Sequence, residues 1–95
     1  MSFAVIARYR CAPEDVGDIR SALLQMRQQT LGEPANISYV VHEGTDEPGV
    51  FILYELYEDR AGFEAHTQTP YFERHVNGFI KPRLQDRTVY FAEVI

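Results

Sequence analysis

Apolar residues along this chain recur at two alternating spacings, and each switch marks the boundary of an element. Phe3, Val5, Ala7 and Tyr9 alternate with Ala4, Ile6, Arg8 and Arg10, a period of two that predicts a strand over residues 3–10. Pro13-Glu14-Asp15 then opens a helix, because proline fits the first turn and acidic side chains suit the positive end of the helix dipole. Val16, Ile19, Leu23, Met26 and Thr30 follow at steps of three and four, with Arg20, Gln25, Arg27 and Gln28 on other faces; this helix is amphipathic and ends near Gly32. Runs rich in β-branched and aromatic residues predict a second strand from Asn36 to His42 and a third from Val50 to Tyr57. The polar residues 43–49 between them point to a hairpin.

Asp59 is placed to cap a helix running through about Gln68. Thr69-Pro70 restarts a helical turn, since proline is tolerated only at a helix beginning, and Phe72, Val76, Phe79 and Ile80 share a face of this second piece. Pro82 is expected to stop it, and Thr88 to Ile95 supplies a fourth strand. The order βαββαβ is the ferredoxin-like α+β pattern, in which helices cover one face of an antiparallel sheet.

The second face of that sheet should be polar if it meets water. Strand three instead carries Phe51, Leu53 and Tyr57 on one parity and Val50, Ile52, Tyr54 and Leu56 on the other, and strand four repeats this with Val89, Phe91 and Ile95 against Tyr90, Ala92 and Val94. With two helical regions available, the expected cover is a second copy of the same sheet in a twofold homodimer.

Composition narrows the partners. At 95 residues the chain has surface enough to fill one core, so residues 1–95 are expected to form a single domain. A formal charge of −5 with scattered arginines would repel a phosphate backbone, so nucleic acid is not an expected partner. No apolar stretch is long enough for a signal peptide or a span, so no membrane partner is expected. The single cysteine, Cys11, rules out an intrachain disulfide and fits a reducing, cytoplasmic setting.

Three segments carry a family pattern: Glu33-Pro34-Ala35-Asn36 opening strand two, Phe51-Ile52-Leu53-Tyr54-Glu55-Leu56-Tyr57-Glu58-Asp59 in strand three, and Ala61 to His66 with Thr69-Pro70-Tyr71-Phe72 in the helical region. In this order and spacing they resemble the antibiotic biosynthesis monooxygenases. The resemblance implies a dimeric α+β barrel and oxygenation of a quinol, anthrone or related aromatic by O₂, with neither metal nor cofactor. Ala35 stands where the family has glycine, so position 35 is not expected to need a positive φ. Haem-degrading relatives rely on a tryptophan that this chain lacks.

Within that pattern His66, three residues after Phe63, can turn toward the sheet and act as base or anion stabiliser for an acidic phenol. Its structural alternative is a tie to a backbone carbonyl. Asn36 and Tyr71 are candidate donors to the anion, although an Asn beside a turn more often bonds that turn. Phe51, Tyr54, Tyr57 and Phe72 can supply flat walls for a planar substrate, and His75 lies at the edge of the same apolar face. Glu55, mid-strand, needs a partner if buried, and Arg8 or Arg83 is the expected one. No H-x-H or H-E-x-x-H spacing, G-x-G-x-x-G or P-loop occurs. The rival readings are isomerisation of a small hydroxyketone through the same histidine, and a non-catalytic dimer that holds a small apolar ligand.

Overall fold

A computed structural model describes residues 1–95. The elements are β1 (Phe3–Cys11), α1 (Val16–Thr30), β2 (Asn36–Glu43), β3 (Val50–Tyr57), α2 (Arg60–Thr67), a π-helical segment Phe72–Ile80, α3 (Lys81–Arg83) and β4 (Leu84–Glu93). A 3₁₀ turn at Pro13–Asp15 leads into α1. The four strands form one antiparallel sheet in the order β2-β3-β1-β4, the ferredoxin-like α+β arrangement.

Strand register sorts the side chains onto two faces. Phe3, Val5, Ala7 and Tyr9 of β1 pair with Tyr57, Glu55, Leu53 and Phe51 of β3, and these alternate positions point to the helices. There Ala7, Tyr9, Leu53 and Phe51 pack with Ile19, Leu23 and Met26 of α1 and Val76 and Ile80 of the π-helix, while Phe3, Val5 and Tyr57 form a second cluster against Phe63 of α2. Every apolar position predicted for the inner stripe of α1 after Val16 is buried, as is Thr30 at its end. Thr30 thus closes the stripe at the last residue of the helix.

Asp59 caps α2 by accepting a hydrogen bond from the Gly62 N–H at 2.8 Å, and Thr69 caps the next segment through its hydroxyl, which accepts from the Phe72 N–H at 3.2 Å. Pro82 does not end the helix as the sequence predicts. It lies inside α3, after π-helical turns, and Arg83 steadies the exit by donating from Nη1 to the Phe79 carbonyl at 2.8 Å. Wider turns ease the clash a proline makes with the preceding turn of a tighter helix. β4 begins at Leu84 rather than Thr88 and ends at Glu93 rather than Ile95. Its polar first half, Gln85-Asp86-Arg87, is legible as strand only through its pairing with β1.

No non-glycine residue has a positive φ, so Ala35 needs none, as its departure from the family glycine implies. Its methyl group instead sets a demand on α2. A Cβ at Gly62 would lie 2.6 Å from Ala35 Cβ. Gly62→Ala is therefore expected to destabilise the protein by about 1–3 kcal/mol through overpacking. Ala35→Gly in the same chain should restore most of the loss in a denaturant melt; an additive double variant would show that the two positions do not share this space.

Candidate active site

His66 sits in the last turn of α2, only 1% exposed, and turns inward as its spacing from Phe63 predicts. Rings surround it: Phe72 meets it edge-on at 5.2 Å between centroids, Tyr57 lies at 5.5 Å and Phe63 at 6.1 Å. Its ring nitrogens face two carboxylates rather than a backbone carbonyl. Nδ1 is 2.9 Å from Glu33 Oε2, and Nε2 is 3.8 Å from Glu55 Oε1. Tyr71 donates its hydroxyl to the same Glu33 Oε2. Burial, with the bond to Glu33, pushes the Tyr71 phenol up to about 12, so it remains a donor at neutral pH.

Glu55 is 6% exposed and accepts a hydrogen bond from the Tyr57 hydroxyl at 2.6 Å. Burial raises its carboxyl above the ordinary carboxylate range; Tyr57, His66 and Arg87 pull the other way, and Glu33 adds to the rise. The same burial, and then the Glu55 charge, raise the phenols of Tyr9, Tyr39 and Tyr57. The expected partners Arg8 and Arg83 are both elsewhere. Arg8 occupies the opposite parity of β1 and pairs with Asp86 at 3.3 Å and Glu47 at 3.4 Å, while Arg83 stacks over Phe79 at 3.6 Å. A one-residue difference in strand parity moves a side chain to the other face, which a sequence without its register does not reveal.

Glu55 opens onto a cavity of about 190 Å³ between sheet and helices. Val5, Ala7, Val89 and Phe91 form its sheet wall, and Phe63, Phe72 and Val76 its helical wall. Tyr9, Glu55 and Arg87 bring its polar atoms. Arg87 lies 5.9 Å from the centroid of the Tyr9 ring, and no carboxylate lies within ion-pair distance of it. Three wider openings, of about 300, 310 and 330 Å³, are surface clefts.

The residues singled out from the sequence therefore divide. His66, Tyr71, Tyr57 and Phe72 come together around Glu33 and Glu55. Phe51 is fully buried in the core against α1. Tyr54 points to the sheet face away from the helices, opposite Ile6 of β1 and Val40 of β2, so it shares no pocket with Tyr57. His75 lines the cleft of about 310 Å³ between α1 and the π-helix, with Asp18 and Arg74, and burial and then Arg74 lower its pKa. Asn36 spends its amide on the carbonyls of Ser38 at 3.1 Å and Leu56 at 3.4 Å, which fixes the turn and the bulge at the start of β2. Glu33, Tyr9 and Arg87 were not singled out. Glu33 had a signal, its place in the Glu33-Pro34 turn, but 33 residues separate it from His66. No three His, Cys, Asp or Glu side chains converge to hold a metal ion, and no helix is long and apolar enough to cross a membrane.

Fold and site together define a ferredoxin-like α+β protein with an apolar, carboxylate-bearing cavity between helices and sheet. The chain belongs to the antibiotic biosynthesis monooxygenase family, whose sequence model matches residues 2–78. Rv0793 from Mycobacterium tuberculosis superposes with a TM-score of 0.92 at 25% identity, covering 100% of this chain and 96% of that one. The structure of an antibiotic biosynthesis monooxygenase superposes with a TM-score of 0.90 at 28% identity over 98% of each chain. A conserved protein from Methanosarcina mazei Go1 shares the fold, with a TM-score of 0.91 at 18% identity over 98% of this chain and 92% of that one. An uncharacterized protein of Synechocystis sp. is 41% identical over 44 residues, 46% of this chain and 30% of that protein, so this chain matches less than a third of that relative's length.

Proposed function

We propose that this chain is a cofactor-independent monooxygenase for a small electron-rich phenol or quinol, bound in the cavity onto which Glu55 opens. The observation that carries this reading is a buried carboxylate, raised by burial, facing apolar walls. A cavity of about 190 Å³ modestly exceeds the roughly 150 Å³ that holds one benzene ring, so one- or two-ring substrates fit it better than three-ring anthrones.

Glu55 takes the hydroxyl proton of the bound phenol, a transfer favoured by a base whose pKa burial raises. The Arg87 guanidinium and Tyr9 hydroxyl, which line the same cavity, hold the phenolate in this reading. Removed from water, this electron-rich anion passes one electron to O₂, and the radical pair joins at carbon; the resulting peroxide takes up a proton, and its O–O bond breaks as water leaves with the hydrogen of that carbon, so that one oxygen stays as a carbonyl. His66 acts from behind, as the group that faces Glu55, and Tyr71 orients Glu33 against His66. Asn36 serves by setting the turn that carries Glu33 to this place. One domain over residues 1–95, paired into a homodimer in a reducing cytoplasm, completes the reading.

Oxygen uptake by metal-free protein against dihydroxynaphthalenes and catechols tests it. Uptake above autoxidation is expected, reduced at least about tenfold in His66→Ala. Product without oxygen uptake assigns isomerisation instead, and stable binding without product assigns a ligand-holding role.

A further inference from the structure

We propose that His66 and Glu33 form a proton relay joining Glu55, in the cavity, to solvent on the far side of α2. The proposal rests on the reading of Glu55 as the base. Once an aromatic ring fills the cavity, water no longer reaches Glu55 from that side, yet the carboxylate must shed and regain a proton as the reaction proceeds. Behind it lie Tyr57, whose phenol burial and Glu55 push far up so that it stays a donor, and His66, whose Nε2 lies 3.8 Å from Glu55 Oε1. The opposite nitrogen, Nδ1, lies 2.9 Å from Glu33 Oε2.

The line ends on its most exposed member. The His66 and Glu55 side chains are 2% and 7% exposed, and that of Glu33 is 14% exposed. Glu33 also lines the open cleft of about 330 Å³ with Pro34, Gly62, Ala65 and Thr69, on the side away from the substrate cavity. Imidazole suits the middle position because it accepts a proton at one nitrogen while releasing one from the other.

The transfers balance without electrons. The O–H bond on Glu55 breaks as N–H forms at Nε2; N–H at Nδ1 breaks as O–H forms on Glu33; that proton passes to water in the cleft. Run backwards, the same route returns a proton to reduced oxygen. At 3.8 Å the first gap exceeds hydrogen-bond reach, because Tyr57 holds Glu55 Oε1 at 2.6 Å. Transfer across it therefore requires rotation about the soft terminal torsion of Glu55.

Exchange of the His66 ring N–H with water, followed by NMR on protein labelled at histidine nitrogen and free of substrate, tests the relay apart from any activity. Glu33→Gln keeps a hydrogen-bond acceptor but carries no proton, and it is expected to slow exchange on the order of tenfold. Glu33→Asp should give an intermediate rate, and it carries the comparison if the Gln variant does not fold. On an oxidised substrate, Glu33→Gln should lower kcat about tenfold at constant KM, with added imidazole restoring it through the open cleft. Wild-type exchange in either Glu33 variant overturns the relay, as does a loss of turnover that imidazole leaves unrestored. Absence of turnover in the wild type counts against the oxygenase reading alone, and the exchange rates still judge the relay.

Discussion

Glu55→Gln is expected to lower turnover by about 10²–10⁴-fold while raising the stability of the protein at neutral pH. The first effect follows because Gln keeps the shape and an acceptor for the Tyr57 hydroxyl but cannot take a proton. The second follows from burial, which raises the Glu55 carboxyl above its ordinary 4.5 in the folded chain. Below about pH 4.5 the carboxyl is protonated in folded and unfolded chains alike, and its contribution to stability is fully present. As pH rises through the higher folded value, the folded chain must ionise a buried group and that stability is lost. Gln has no such charge, so the gap in melting temperature between variant and wild type should widen from pH 4 to pH 7. A gap of constant size, or a variant that melts lower at pH 7, would show that the bonds to the charged carboxylate outweigh its burial.

Ile52→Asp is expected to turn a dimer of about 22 kDa into a monomer of 11.0 kDa by light scattering. The sheet face away from the helices exposes Val40 at 40%, Ile52 at 41% and Tyr90 at 64%, an apolar surface that a second copy of the sheet would cover. A dimer carries two such aspartates. Burying each without a partner costs about 2 kcal/mol or more, together roughly a 10³-fold loss of affinity. The monomer itself should remain folded, since position 52 is exposed there and its aspartate would stay in water. A wild-type protein that scatters as a monomer at micromolar concentration would remove the dimer from the proposed function.

If the cavity closes only in the dimer, the two predictions meet. Arg87 and Phe91, which line the cavity, belong to β4, one of the two edge strands, and Phe91 is 49% exposed. Loss of turnover in Ile52→Asp, with unchanged folding, would then place part of the substrate's cover on the partner copy.

Much of the fold was legible in the amino-acid sequence because single elements must bury single faces. The stripe from Ile19 to Met26 can be satisfied only by a helix against a core, and the runs Ile37–Val41 and Val50–Tyr57 only by strands. Gln85-Asp86-Arg87 failed this test: an edge strand has fewer neighbours to satisfy, so its composition does not declare it. His66 was also legible, since a helical spacing from Phe63 fixes which way it turns.

What the sequence by itself determined is therefore the set of local commitments: which segments are helix or strand, which residues each must bury, and the family pattern holding Glu33, Glu55 and His66. Tertiary structure alone decided the partnerships. Strand register sent Arg8 and Tyr54 to one face and Glu55 to the other, and the turn at Glu33 met α2 across 33 residues of chain. A buried carboxylate must be compensated by something, which sequence can state; whether by an arginine, or by a tyrosine and a histidine, depends on distances that only the packed sheet and helices set.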